Sequence, residues 1–147
     1  MNPDFTDIHV ENILLLSSRA AFLGAKEEQA YCLGLTSLER AEQDEGKTLL
    51  VSAGFDLMLN VPDPVCTLEC TFAAIYSKPA TAAVQWSDFS DGLAVAHMVP
   101  FVREFIANVT NRMPLPPLLM KPVNAFVLVE EYKGRMAKKP DDPTGEK

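Results

Sequence analysis

Cys66 and Cys70 are the first residues whose types and spacing suggest chemistry, because two thiolates one helical turn apart could share a zinc ion. Their neighbours Val65, Thr67 and Thr71 are strand formers, however. In a strand, residues four apart share a face but lie ~13 Å apart, at ~3.3 Å per residue. Two sulfurs cannot span that distance to one zinc at ~2.3 Å. The pair reads as small buried residues, and no metal site is expected. His97, one of two histidines with His9, has only Leu93, Ala94, Pro100 and Phe101 at helical spacing. Arg103 and Glu104 are adjacent on a helix, so they do not face one another and read as solvated or interface charges. Asp88 and Asp91 fall at a helix start, where the macrodipole alone favours acid. No Ser-His-Asp order and no glycine-rich phosphate loop is present. With no nucleophile beside a base, the sequence predicts a protein that is not an enzyme and carries no cofactor.

The elements that position these residues change period halfway along the chain. Ile8 to Leu16 reads as a strand, followed by a less regular one from Tyr31 to Glu39. Asp44-Glu45-Gly46-Lys47 supplies hairpin chemistry. Thr48 to Val61 returns as a long strand with Phe55, Leu57 and Leu59 on one face. Past a loop at Pro62, Asp63 and Pro64, Val65 to Tyr76 alternates cleanly. Short polar turns between strands predict a four-stranded antiparallel sheet.

A helix then follows Ser87, Asp88 and Ser90, all good N-caps, and runs to about Arg112. Its apolar residues, among them Val95, Val99, Val102 and Ile106, span roughly 160°, against the ~100° needed to cover one sheet. The surplus must meet a partner subunit or a second helix of the same chain. Pro100 removes the donor to the Ala96 carbonyl and predicts a kink. Between Met113 and Val123 four prolines exclude helix, yet the intervening residues are mostly apolar, so this strap is expected to lie on a hydrophobic surface. Asn124 caps a last helix bearing Phe126, Leu128, Val129, Tyr132 and Met136, with Glu131 and Arg135 at i,i+4 on its other side.

The 147 residues carry 13 basic and 20 acidic side chains, a net charge of −7. That balance disfavours nucleic acid, whose binding depends on basic patches. No stretch approaches the ~18 apolar residues of a membrane span. The acidic start and the odd count of cysteines, Cys32, Cys66 and Cys70, lead us to expect a reducing cytoplasm. Residues 1–139 read as a single α+β domain and 140–147 as a flexible acidic and polar tail. The over-wide helix, the oily strap and Trp86, Met98, Met113, Met120 and Met136 suggest an adaptable surface for hydrophobic peptide. The plainer reading is that they fill the core.

The string Val99-Pro100-Phe101-Val102-Arg103-Glu104-Phe105-Ile106, then Pro116-Pro117-Leu118, then Pro122-Val123-Asn124-Ala125-Phe126, resembles the SecB family of export chaperones. Glu69-Cys70-Thr71-Phe72-Ala73-Ala74-Ile75-Tyr76 is similar to that family's fourth strand. The resemblance implies a sheet of four antiparallel strands with a long kinked helix, a proline-rich crossover loop and a C-terminal helix. It also implies a homotetramer, a dimer of dimers packed through the long helices at Val95, Val99, Val102 and Ile106. Its activity would be that of an ATP-independent holdase for unfolded or precursor proteins. Leu115, Leu118, Leu119, Phe126 and Tyr132 would line the client groove. Glu69 would contribute to docking the SecA motor, with Asp7 and Glu11 available near the first strand. Ala125 stands where the family has Phe, with Phe126 one place later, which puts the packing of the last helix in question. A chaperone dedicated to one partner, such as an antitoxin, and a small-ligand-binding α+β domain are the competing readings.

Overall fold

The computed structural model describes residues 4–24, 30–59, 65–116 and 118–138. Among them the order is β1 (His9–Phe22), β2 (Tyr31–Gln43), β3 (Thr48–Leu59), β4 (Cys66–Ser77), α1 (Asp91–Thr110) and α2 (Ala125–Lys138). The strands form one antiparallel sheet in the order β1-β4-β3-β2. Asn60, Val61, the loop at Pro62 to Pro64 and the tail 140–147 lie outside the described residues.

Alternation decides which face of the sheet is inside. Leu49, Val51, Ala53, Phe55, Leu57 and Leu59 of β3 pair across to Tyr76, Ala74, Phe72, Cys70, Leu68 and Cys66 of β4. All twelve are buried, so the two central strands supply one apolar layer. Cys66 and Cys70 thus share a strand face within the core. Burial pushes the Cys70 thiol up to about 12 and raises that of Cys66 as well. A polar turn, Asp44–Gly46, joins β2 to β3, and its Gly46 sits at φ 85, a region that favours glycine.

Two strands extend beyond the sequence expectation: β1 ends at Phe22, not Leu16, and β2 at Gln43, not Glu39. The added residues, Ser17 to Phe22 and Arg40 to Gln43, hold Phe22 as their one large apolar side chain, and pairing with β4 and β3 is what extends them. Bulges interrupt β1 after Leu15 and β2 after Leu35.

α1 begins where Ser90 caps it, its hydroxyl accepting from the Leu93 amide at 3.2 Å. The helix continues through Pro100 as one element. Most of its wide apolar arc is covered from within the chain, with Phe101 left exposed. Val95, Val99, Val102 and Ile106 are buried in the core with Ala94 and Met98, so the helix-to-helix subunit interface expected at these positions is not a free face. The sheet covers one side of the arc; the strap and α2 account for much of the rest. Trp86, Met98 and Met120 are core residues too, which favours the plainer reading for those three. No helix among the described residues is long and apolar enough to cross a membrane.

Candidate functional site

The strap after α1 is held extended by side chains that receive or supply its backbone hydrogen bonds. The buried Thr110 hydroxyl donates to the Ile106 carbonyl at 2.8 Å and accepts from the Leu118 amide at 2.8 Å. Arg103 reaches across to donate to the Met120 carbonyl at 2.9 Å. The Lys121 amide donates to the Tyr31 hydroxyl at 3.0 Å, tying the strap to the start of β2. Arg103, which the sequence offers as a surface or interface charge, is therefore a positioning residue for the strap.

This anchoring makes the strap alternate. Leu118 (3% exposed) and Met120 point into the core, while Leu119 between them is 79% exposed. Leu118 is thus corrected from groove residue to core residue: with its amide bound to Thr110, its side chain fills space beneath the strap. Leu115 packs partly buried against the core. Asn124 caps α2 as expected, accepting from the Phe126 and Val127 amides at 3.0 and 3.3 Å. Ala125, at the position where the resembled family carries Phe, is buried, and Phe126 beside it is 51% exposed. The Phe126 ring lies against Gly92 and leaves no room for a side chain there. Together Leu119, Phe126 and Val127 leave apolar surface in water.

A cavity of about 480 Å³ opens where the second half of α2 flanks β2. Tyr132 and Met136 line it from α2, and Cys32, Gly34, Asp56 and Met58 from the sheet. The buried residues of α2 (Ala125, Leu128 and Val129) all lie in its first half; in the second half Tyr132 is only partly buried against the core. Arg135 donates to the Leu35 carbonyl at 2.5 Å; it does not close the expected pair with Glu131 but props the helix against the strand. Burial raises the Asp56 carboxyl, and the nearby Arg135 guanidinium opposes that shift.

Of the five groove candidates, only Tyr132 lines this cavity. Leu115, Leu119 and Phe126 belong to the strap and the start of α2. Cys32, Met58 and Asp56 are contributors that sequence reasoning missed. Met58 gave a signal, since it is apolar at an outward position between Leu57 and Leu59. Glu69 is exposed on the outer sheet face, with Arg19 and Asp56 as its cross-strand neighbours. Asp7 precedes β1, and Glu11 within it accepts a hydrogen bond from the Ser77 hydroxyl.

His97 is half-buried; one of its ring nitrogens, Nδ1, lies 2.9 Å from the Tyr76 hydroxyl, beside Phe89. Desolvation lowers its pKa and favours the neutral ring. Its partners make it a packing residue.

The architecture has counterparts among solved structures. A SecB-like chaperone of Mycobacterium tuberculosis, solved in complex with a ChAD peptide from the HigA1 antitoxin, matches with a TM-score of 0.67 at 20% identity, over 80% of this chain and 90% of that one. A protein of unknown function from Streptococcus agalactiae matches with a TM-score of 0.47 at 12% identity, over 78% of this chain and 97% of that chain. No family model and no curated protein matches the chain. The four-stranded antiparallel sheet with two helices is therefore a SecB-like α+β fold.

Proposed function

We propose that the protein is an ATP-independent molecular chaperone that holds unfolded polypeptide on the surface formed by the strap, α2 and the edge of β2. The observation that carries this reading is the apolar surface of Leu119 on the strap and Phe126 and Val127 on α2, fixed in place by Thr110, Arg103 and Asn124, with the Tyr132 cavity further along the same helix. The same hydrogen bonds that seat Leu118 and Met120 in the core hold Leu119 between them in water, so the strap and the start of α2 present a fixed apolar patch. Many such contacts, each about 25 cal/mol per Å² of apolar area, would retain a client without demanding one sequence.

A second copy of the chain is the proposed partner of β1. This strand is one edge of the sheet, and Val10, Leu14, Leu15, Leu16, Phe22 and Leu23 on or just after it are exposed. An unpaired edge of fourteen residues with that much apolar surface is a template for another strand. A two-fold axis requires that β1 meet its copy antiparallel. Phe101, exposed on α1, is left for a helix contact between two such dimers. A role in export with SecA docking at Glu69, and a cytoplasmic location, are further parts of this proposal.

Restriction to one partner is the second reading, favoured by the antitoxin peptide bound to the Mycobacterium tuberculosis neighbour. The test measures light scattering of the purified protein together with aggregation of several unrelated denatured proteins at stoichiometric ratios. The holdase reading expects an oligomer and suppression across the set. Suppression for a single partner alone selects the dedicated chaperone, and a monomer without effect on any overturns both.

A further inference from the structure

We infer that the cavity between α2 and β2 is a methionine-oxidation site, at which a peroxide converts Met58 and Met136 to sulfoxides and so weakens the hold on an apolar chain. This rests on the chaperone reading above and concerns how that hold is regulated. The protein has six methionines and three cysteines, and burial sorts them. Cys66, Cys70, Met98 and Met120 are core residues, none more than 4% exposed. Met113 is partly buried against the core, its sulfur 3.4 Å from that of Cys66. Met1 lies outside the described residues. The sulfurs that remain are those of Cys32, which is exposed, and of Met58 and Met136, 41% and 45% exposed. All three residues line the same cavity.

The fold brings them together from distant points of the chain. Cys32 of β2 pairs across to Met58 of β3, which makes their side chains neighbours on one sheet face. Met136 arrives from the second half of α2. β2 is the sheet edge opposite β1, so a subunit contact through β1 leaves these sulfurs in water. Leucine would line an apolar cavity as well; a thioether differs in adapting its shape and in being oxidisable. A peroxide transfers one oxygen to the thioether sulfur, which loses two electrons; the O–O bond breaks and the second oxygen leaves as water. The flexible apolar side chain becomes a polar one. An apolar client laid against it must cover an oxygen to which it offers no donor. Because the core sulfurs are shielded, the oxidant alters the binding surface and spares the fold. Sulfoxide reduction reverses the change, which makes the cavity a switch.

The test titrates a short fluorescent peptide of Leu, Val, Ser and Lys, which contains no sulfur, before and after the protein is treated with hydrogen peroxide. Peptide mapping by mass spectrometry should find Met58 and Met136 oxidised well ahead of Met98 and Met120. Affinity should fall about tenfold, the effect of one unpaired polar oxygen at the contact, while the thermal melt stays unchanged. Methionine sulfoxide reductases of both stereospecificities should restore binding. Met58→Leu with Met136→Leu, compared only with itself, should bind the peptide equally before and after peroxide, and Cys32→Ser should still respond. Sulfoxide at both positions with no change in affinity, a melt that falls together with affinity, or an undiminished response in the leucine variant overturns the inference and leaves the chaperone reading standing. No peptide binding before treatment overturns both.

Discussion

The carboxylate of Asp91, in the first turn of α1, meets the guanidinium of Arg40, in β2, at 2.9 Å across 51 residues of chain. The same guanidinium donates to the Trp86 carbonyl at 2.7 Å and the Phe89 carbonyl at 2.9 Å. Lys133 of α2 joins Asp91 at 3.1 Å. One arginine thus ties the sheet to the start of α1, and one aspartate ties both to α2.

Arg40→Met should therefore destabilise the fold by about 2 kcal/mol, since two part-buried carbonyls and a carboxylate lose their donor. Urea unfolding measures the loss, and a cycle with Asp91→Asn should show the two changes to be non-additive. Burial alone would raise the Asp91 carboxyl, but hydrogen bonds from Arg40 and Lys133 outweigh it and hold the group below 3.8. A lowered folded pKa means that Asp91 contributes fully above 3.8 and loses that contribution as pH falls below it.

His97 sets a second pH dependence at a higher range. Its pKa is lowered from 6.5 by desolvation, so the folded state resists a proton that the unfolded chain accepts. Stability should be intact above pH 6.5 and fall as pH drops from there toward the lowered folded value. His97→Gln removes the titrating ring. Chemical denaturation at neutral and mildly acidic pH should show a smaller fall in stability for the variant than for the parent; equal falls would count against this account.

Thr110→Val keeps the shape of the buried side chain but leaves the Leu118 amide without an acceptor. The cost expected is about 1–3 kcal/mol, visible as a lower Tm and faster proteolysis at the strap. Thr110→Ser, which retains the hydroxyl, should recover most of it.

The neighbours Leu118 and Leu119 should behave in opposite ways. Leu119→Asp alters an exposed residue, so its effect on stability should stay within about 0.5 kcal/mol while client capture weakens. Leu118→Asp buries a carboxylate beneath the strap and should cost about 3 kcal/mol or more, enough to unfold the domain at moderate temperature. Thermal melts run beside aggregation assays separate the two effects.

Leu14→Lys with Leu16→Lys places like charges along the β1 edge. If β1 carries the subunit contact, light scattering should show the assembly reduced to monomers with an unchanged circular dichroism spectrum. An oligomer that withstands both changes places the contact elsewhere.

Period-two and period-3.6 patterns are local properties of the chain, and for that reason most elements were legible before any coordinates. Leu57 and Leu59, Cys70 and Phe72, and the caps Ser90 and Asn124 each announce their element through neighbours within a few residues. The far halves of β1 and β2 were not legible, because Ser17 to Phe22 and Arg40 to Gln43 are strand only through their partners. The candidate site was legible in part. Leu119, Phe126 and Tyr132 stand out by type and place, whereas Cys32 and Met58 reach the cavity only because β2 lies at the sheet edge beside α2.

From residue order alone came the α+β class, the strap, its oily character and the acidic surface, since composition and periodicity depend on no distant contact. Which apolar residues face water was decided by the tertiary structure. Most of the α1 arc that reads as surplus is covered by the chain's own sheet, strap and second helix, with Phe101 left in water, and the adjacent Leu118 and Leu119 part company through one hydroxyl, that of Thr110. Burial depends on what packs opposite a residue, and helical or strand period cannot supply that partner.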